Sequence, residues 1–84
     1  MLFFGDARFV PGADYASHYE DEVRAVNALR ERGIIKDLYR HLDGSGAMLI
    51  LEGDSAEQID GELANLPFVR LGLMRIPINE IEQL

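Results

Sequence analysis

An α+β sandwich with the element order β-α-β-β-α-β is the fold that this 84-residue sequence predicts. Three observations predict it. Two amphipathic segments, each opened by a capping residue, separate apolar runs of strand length. The tetrapeptide Asp43-Gly44-Ser45-Gly46, the strongest hairpin signal in the chain, falls between those two segments. The length allows one domain, residues 1–84, and the sequence contains no repeat, linker or low-complexity stretch.

The elements follow in order. Leu2-Phe3-Phe4 opens an apolar stretch that reaches Phe9-Val10 and breaks at Pro11-Gly12, a strand followed by a turn. Asp14 is placed to cap the next helix. Glu20, Asp21 and Glu22 crowd its early turns and Arg24, Arg30 and Arg32 come later, which complements the helix dipole; Gly33 ends it. Ile34 to Leu42 reads as the second strand and Ala47 to Glu52 as the third, joined by the hairpin. Ser55, with Gln58 three residues on, opens a second helix that closes near Asn65-Leu66-Pro67. Val69 to about Ile78 reads as the fourth strand, and Pro77 marks an edge or an end there.

A strand, a crossover helix, a hairpin, a helix and a last strand form the split βαβ, or ferredoxin-like, plan: four antiparallel strands with two helices on one face. The other face needs a cover. Ile35, Met48, Ile50, Met74 and Ile76 are too many apolar side chains to leave wet. A domain this short buries only about 60–65% of its unfolded surface. The chain has no cysteine for a disulfide. Burial of sheet against sheet in a homodimer answers both problems.

Composition excludes several roles. Eight Lys and Arg against fifteen Asp and Glu give a formal charge of −7, which repels phosphate backbones and anionic lipid. Nucleic acid and membrane are therefore not the expected partners. No apolar run spans a bilayer, and the absence of a basic leader before an apolar signal core predicts a cytoplasmic protein. His18 and His41 share no metal-ligand spacing with carboxylates, and Gly44 and Gly46 belong to a hairpin rather than a phosphate loop. An enzyme with this sequence works without metal or nucleotide, using acid–base groups and cations in a small apolar cavity.

Polar residues on apolar faces point to that cavity. On a helical wheel Tyr15, Tyr19, Val26 and Leu29 share one face, with Val23 at its edge and Glu22 in its middle. His18 lies on the flank, one turn before Glu22. A carboxylate held against a sheet has a raised pKa unless it is paired, which suits a general base; the competing reading is that Glu22 reaches the rim to meet an arginine. Five cations, Arg8, Lys36, Arg40, Arg70 and Arg75, fall on predicted strands. By alternation Arg40 shares a face with Leu38, Lys36 and Ile34, and Tyr39 and His41 point to the other. Arg8 and Arg40 are candidates to hold an anionic group; Lys36, Arg70 and Arg75 read as edge charges that keep strands apart. Tyr39 and Tyr19 are candidate donors to a developing oxyanion.

Met1-Leu2-Phe3, the helix with Asp21-Glu22 and its terminal Gly33, the Leu38-Tyr39-Arg40 step, and Leu63-Ala64-Asn65-Leu66-Pro67 before the last strand resemble the muconolactone delta-isomerase family. The resemblance covers nearly the whole chain. It implies two ferredoxin-like subunits whose sheets pack into a dimeric α+β barrel, sometimes associated into larger rings. It also implies cofactor-free proton transfer on an unsaturated lactone, in which a base removes a proton alpha to a carbonyl and a cation steadies the enolate. Carried over by position, Glu22 matches the acidic helix residue and Arg40 the basic strand residue. The chain departs from the pattern in its shorter C-terminus and in Asp6, with Arg8 two residues later on the same face.

The first functional expectation is therefore a cofactor-independent isomerase. Glu22 or His18 serves as base, Arg40 and Arg8 bind the anionic group of a small organic ligand, and Tyr39 or Tyr19 donates a hydrogen bond. The rival is a non-catalytic binding or assembly homodimer, in which Glu22 sits in a satisfied ion pair. A third reading is a cofactor-independent monooxygenase acting on an aromatic substrate, which needs a roomier cavity. The C-terminal residues 79–84 either add a strand to a neighbour or hang free.

Overall fold

The computed structural model describes residues 1–84. The elements run β1 (Leu2–Phe9), a 3-10 turn (Ala16–His18), α1 (Tyr19–Glu31), β2 (Ile35–Arg40), β3 (Gly46–Glu52), α2 (Ala56–Leu63), α3 (Pro67–Arg70), β4 (Met74–Arg75) and β5 (Ile78–Ile81). The sheet is antiparallel, in the order β2-β3-β1-β4, with β5 pairing farther along β1. This is the ferredoxin-like arrangement expected, with a five-segment sheet in place of four strands.

Period-two alternation sorts the sheet into two faces. Phe3, Gly5 and Ala7 of β1 are buried, and Phe3 and Ala7 pack with Leu49 and Leu51 of β3, Leu29 of α1, Ile59 and Leu63 of α2, and Phe68 of α3. Leu2, Phe4, Asp6 and Arg8 point the other way, beside Met48 and Ile50. Of the apolar residues that called for a cover, Ile35, Met74 and Ile76 lie in or against the helix-side core. Met48 and Ile50 stand on the open face.

The first helix starts later than its expected cap. Asp14 accepts a hydrogen bond from the Ser17 hydroxyl (3.0 Å) in the turn before the helix. His18 takes the N-cap position of α1 and makes no side-chain cap bond. At the other end Gly33 adopts φ +76°; the Ile34 N–H bonds the Leu29 carbonyl (2.9 Å) and the Gly33 N–H bonds that of Arg30 (3.0 Å). That is a Schellman cap, closed by contact of buried Leu29 and Ile34. For α2 the Gln58 N–H donates to Ser55 Oγ, and Gln58 Oε1 accepts from the Asp54 N–H. The capping box is present, with its return bond one residue earlier than in the usual pattern.

Two strand boundaries differ from expectation. β2 ends at Arg40, because the His41 N–H bonds the Gly46 carbonyl and the Gly44 N–H bonds that of His41, which closes the turn early. A bulge between Ile35 and Asp37 puts two β2 residues opposite one step of β3. Lys36 therefore does not share a regular face with Arg40, while Ile35, Leu38 and Arg40 all pair with inward residues of β3.

The fourth strand is the main correction. Residues 67–70 are helical. Pro67 sits at N1, and Gly72 (φ +74°) ends the turn with a second Schellman pair, Leu73 N–H to Phe68 carbonyl and Gly72 N–H to Val69 carbonyl. The strand begins only at Met74. Arg8 lies opposite Arg75 and Gly5 opposite Ile78, so β4 and β5 keep one register along β1. The break falls at Pro77, whose carbonyl accepts from the Asp6 N–H (3.1 Å) but which has no N–H to return. Asn79 to Ile81 thus pair with β1 of their own chain. No helix is long and apolar enough to cross a membrane.

Candidate functional site

Between α1, α3 and the helix side of the sheet lies a mostly apolar cavity of about 620 Å³. One α1 face supplies Tyr19, Glu22, Val23, Val26 and Arg30, at spacings that keep them in line along the helix. The sheet supplies Ala7, Leu38, Arg40, Ala47 and Leu49. Gly46 forms part of the floor by lacking a side chain. A Cβ there would stand 1.9 Å from the Ala7 carbonyl oxygen, so β1 and β3 close only with glycine at that position.

Glu22 is 7% exposed and projects from α1 at the cavity wall. Its Oε1 accepts the backbone N–H of Phe68 at 2.8 Å. The N-cap of α3, Leu66, has no side chain that can accept a bond, and Glu22, 46 residues away, fills that role. Burial pushes the Glu22 carboxyl above its ordinary 4.5, and the Phe68 N–H offsets part of that rise. No cation pairs with it. Glu22 is therefore neither exposed nor neutralised: it is a buried carboxylate held by one backbone donor.

At the cavity mouth, Arg40 of β2 donates to the Tyr19 hydroxyl at 3.1 Å. Because that hydroxyl accepts from Arg40, its own proton is left to donate elsewhere. A guanidinium and a phenol thus stand together, on the same cavity as Glu22. On the same cavity Phe9 stacks on Tyr15 (4.3 Å between ring centroids), and Phe68 meets both edge-on. These three rings line an aromatic wall.

The six residues singled out in the sequence divide accordingly. Glu22, Tyr19 and Arg40 line the cavity. His18 is half-buried at the start of α1, outside the lining. Tyr39 lies on the opposite sheet face from Arg40 and is 59% exposed there. Arg8 is on that face too, bonded to Asp6 (3.0 Å) and the Ser45 hydroxyl (3.3 Å). Arg8 and Tyr39 are thus separated from the cavity by the sheet itself.

Sequence reasoning passed over Arg30 and the Phe68 amide. Arg30 was legible: it lies eleven positions after Tyr19, three helical turns along the same face. The amide was not, because a helix capped from another element leaves no local pattern. No three His, Cys, Asp or Glu side chains converge as metal ligands.

No protein-family model matches the chain, and no curated protein matches it. Among solved structures it resembles 5-chloro-2-hydroxyhydroquinone dehydrochlorinase from Burkholderia phenoliruptrix AC1100, determined in complex with 2,5-dihydroxybenzoquinone. The TM-score is 0.83 at 21% identity, over 98% of this chain and 94% of that one. The two chains share a fold. At that identity the likeness extends to the βαββαβ sandwich with its helix-covered sheet, and the side chains of the cavity carry the functional argument alone.

Proposed function

We propose that this protein is a cofactor-independent catalyst of proton transfer on a small, unsaturated, anionic ring compound, acting as a homodimer in the cytoplasm. The observation that carries the reading is Glu22: a buried carboxylate with a raised pKa, on a cavity wall, with no cation to satisfy it. Its Oε1 is anchored by Phe68, which leaves Oε2 to take a proton from carbon or oxygen of a bound ligand. Arg40 and the Tyr19 hydroxyl supply positive charge and a donor where an enolate oxygen would develop. Return of the proton at another carbon is isomerisation, as in the muconolactone delta-isomerases that the sequence resembles. Departure of a leaving group instead is elimination, the class to which a dehydrochlorinase belongs. Both begin with the same proton removal.

The open sheet face supports the dimer. Leu2, Phe4, Met48 and Ile50 share it with no helix above them. A second copy laid face to face would bury them.

A non-catalytic module is the second reading, and one observation favours it: Glu22 already has a structural task as the cap of α3. Glu22→Gln separates the two, because the amide oxygen still accepts from Phe68 while the base is lost. The assay is solvent deuterium incorporation by NMR into carboxylated unsaturated lactones and hydroxyquinones. Wild-type exchange that falls by at least about 100-fold in Glu22→Gln, with the melting temperature kept, supports catalysis. Equal exchange in both proteins removes Glu22 from the mechanism, and none in either leaves the module reading standing.

A further inference from the structure

We infer that the cavity is a groove for a dianion, with one charged group at Arg40 and Tyr19, a second at Arg30, and an apolar spacer between them. The inference rests on the reading of the cavity as a ligand site. It goes further in naming two charges and a length.

The first argument is the pairing of cations. Four of the eight cations form ion pairs: Arg8 with Asp6, Arg24 with Asp21, Arg32 with Glu62 and Lys36 with Glu52. Fifteen acidic residues are present to neutralise the rest. Arg30, Arg40, Arg70 and Arg75 are nevertheless unpaired, and of these Arg30 and Arg40 are the two cations that line the cavity. Neither reaches Glu22, the single acid on its wall. In a chain of charge −7, an anionic ligand has no general attraction to the surface, so its binding depends on local cations.

The second argument is their placement. The chain passes from the C-terminal end of α1 through Gly33 into β2, so the two elements run in opposite directions. Arg40 ends β2 and meets Tyr19 at the start of α1. Arg30 lies three turns along, about 16 Å down the helix axis from Tyr19. Between these ends the lining is mostly apolar, with Val23, Val26 and Leu38; its one acid, Glu22, has Oε1 tied to the Phe68 N–H. Two cations separated by apolar side chains match a rigid molecule with an acid at each end better than a compact monoacid.

Isothermal titration calorimetry tests this, using benzoate, terephthalate, the biphenyl para-monoacid and the biphenyl para,para-diacid. The long diacid is expected to bind about tenfold tighter than the long monoacid in the wild type, the scale of one charge-assisted contact near the surface. Arg30→Gln, an exposed change to another good helix former, is expected to erase that advantage by lowering diacid affinity about tenfold and monoacid affinity by less. Arg40→Gln weakens both acids. Equal affinity of monoacid and diacid in the wild type, or an equal loss of both in Arg30→Gln, overturns the dianion inference while Arg40-dependent binding still supports the site. Absence of binding by every acid overturns the anion site itself, and with it the inference.

Discussion

Removing the Glu22 carboxylate in two ways separates its structural task from its charge. Glu22→Ala leaves the Phe68 N–H without an acceptor at a residue that is only 4% exposed. An unpaired buried donor costs about 1–3 kcal/mol. Truncation opens onto an existing cavity, so little new void is created. Relief of the desolvated carboxylate works against the loss at neutral pH, which places the net destabilisation near 1–2 kcal/mol. For a domain of this size that is a fall in melting temperature of roughly 5–15 °C. Glu22→Gln keeps the acceptor and drops the buried charge, so it is expected to melt at or above the wild type. Calorimetry at one fixed protein concentration makes the comparison, because a dimer's melting temperature depends on concentration. An equal fall in both variants, or none in either, refutes the capping argument.

Three further outcomes are expected. The stability advantage of Glu22→Gln over wild type grows as pH rises from 4.5 through the raised carboxyl value, because the folded wild type holds a proton there that the unfolded chain has lost; denaturant titrations across that window check it, and a difference that shrinks with pH contradicts it. Gly46→Ala is expected to cost at least about 2 kcal/mol, because its Cβ would meet the Ala7 carbonyl at 1.9 Å, whereas Gly33→Ala pays only the strain of φ +76°, about 1 kcal/mol, with nothing within 4 Å. Met48→Lys, on the open sheet face, is expected to yield monomer in sedimentation velocity; an intact dimer places the interface elsewhere.

The sequence carried the element order because the hairpin glycines, the Ser55 cap and Gly33 act locally, within a turn of the residues they organise. It carried Glu22 and Arg40 because an acid on an apolar helix face and a cation on an inward strand position break a periodic pattern. The last strand was misplaced for a different reason. Val69, Leu71 and Leu73 read as alternation, but Pro67 at N1 and Gly72 just past the end punctuate a short helix instead. Arg8 and Arg40 lie on opposite faces because Arg40 is in register with Ala47, as inward-facing Ala7 is, whereas Arg8 is one step along β1 from Ala7. The tie between Glu22 and Phe68 spans 46 residues, and only the folded chain brings it together.

The bulge at Lys36 also bears on how this family of shapes tolerates gaps. It stores one residue more than β3 requires. A deletion of Lys36 or Asp37 would be absorbed by straightening the strand, leaving Leu38 opposite Leu49 and Arg40 opposite Ala47. An insertion has no such slack, and a slip of one residue would turn Arg40 out to the open face and carry Tyr39 into the cavity, exchanging a cation for a phenol. The strand is thus buffered against loss of length and exposed to gain of it.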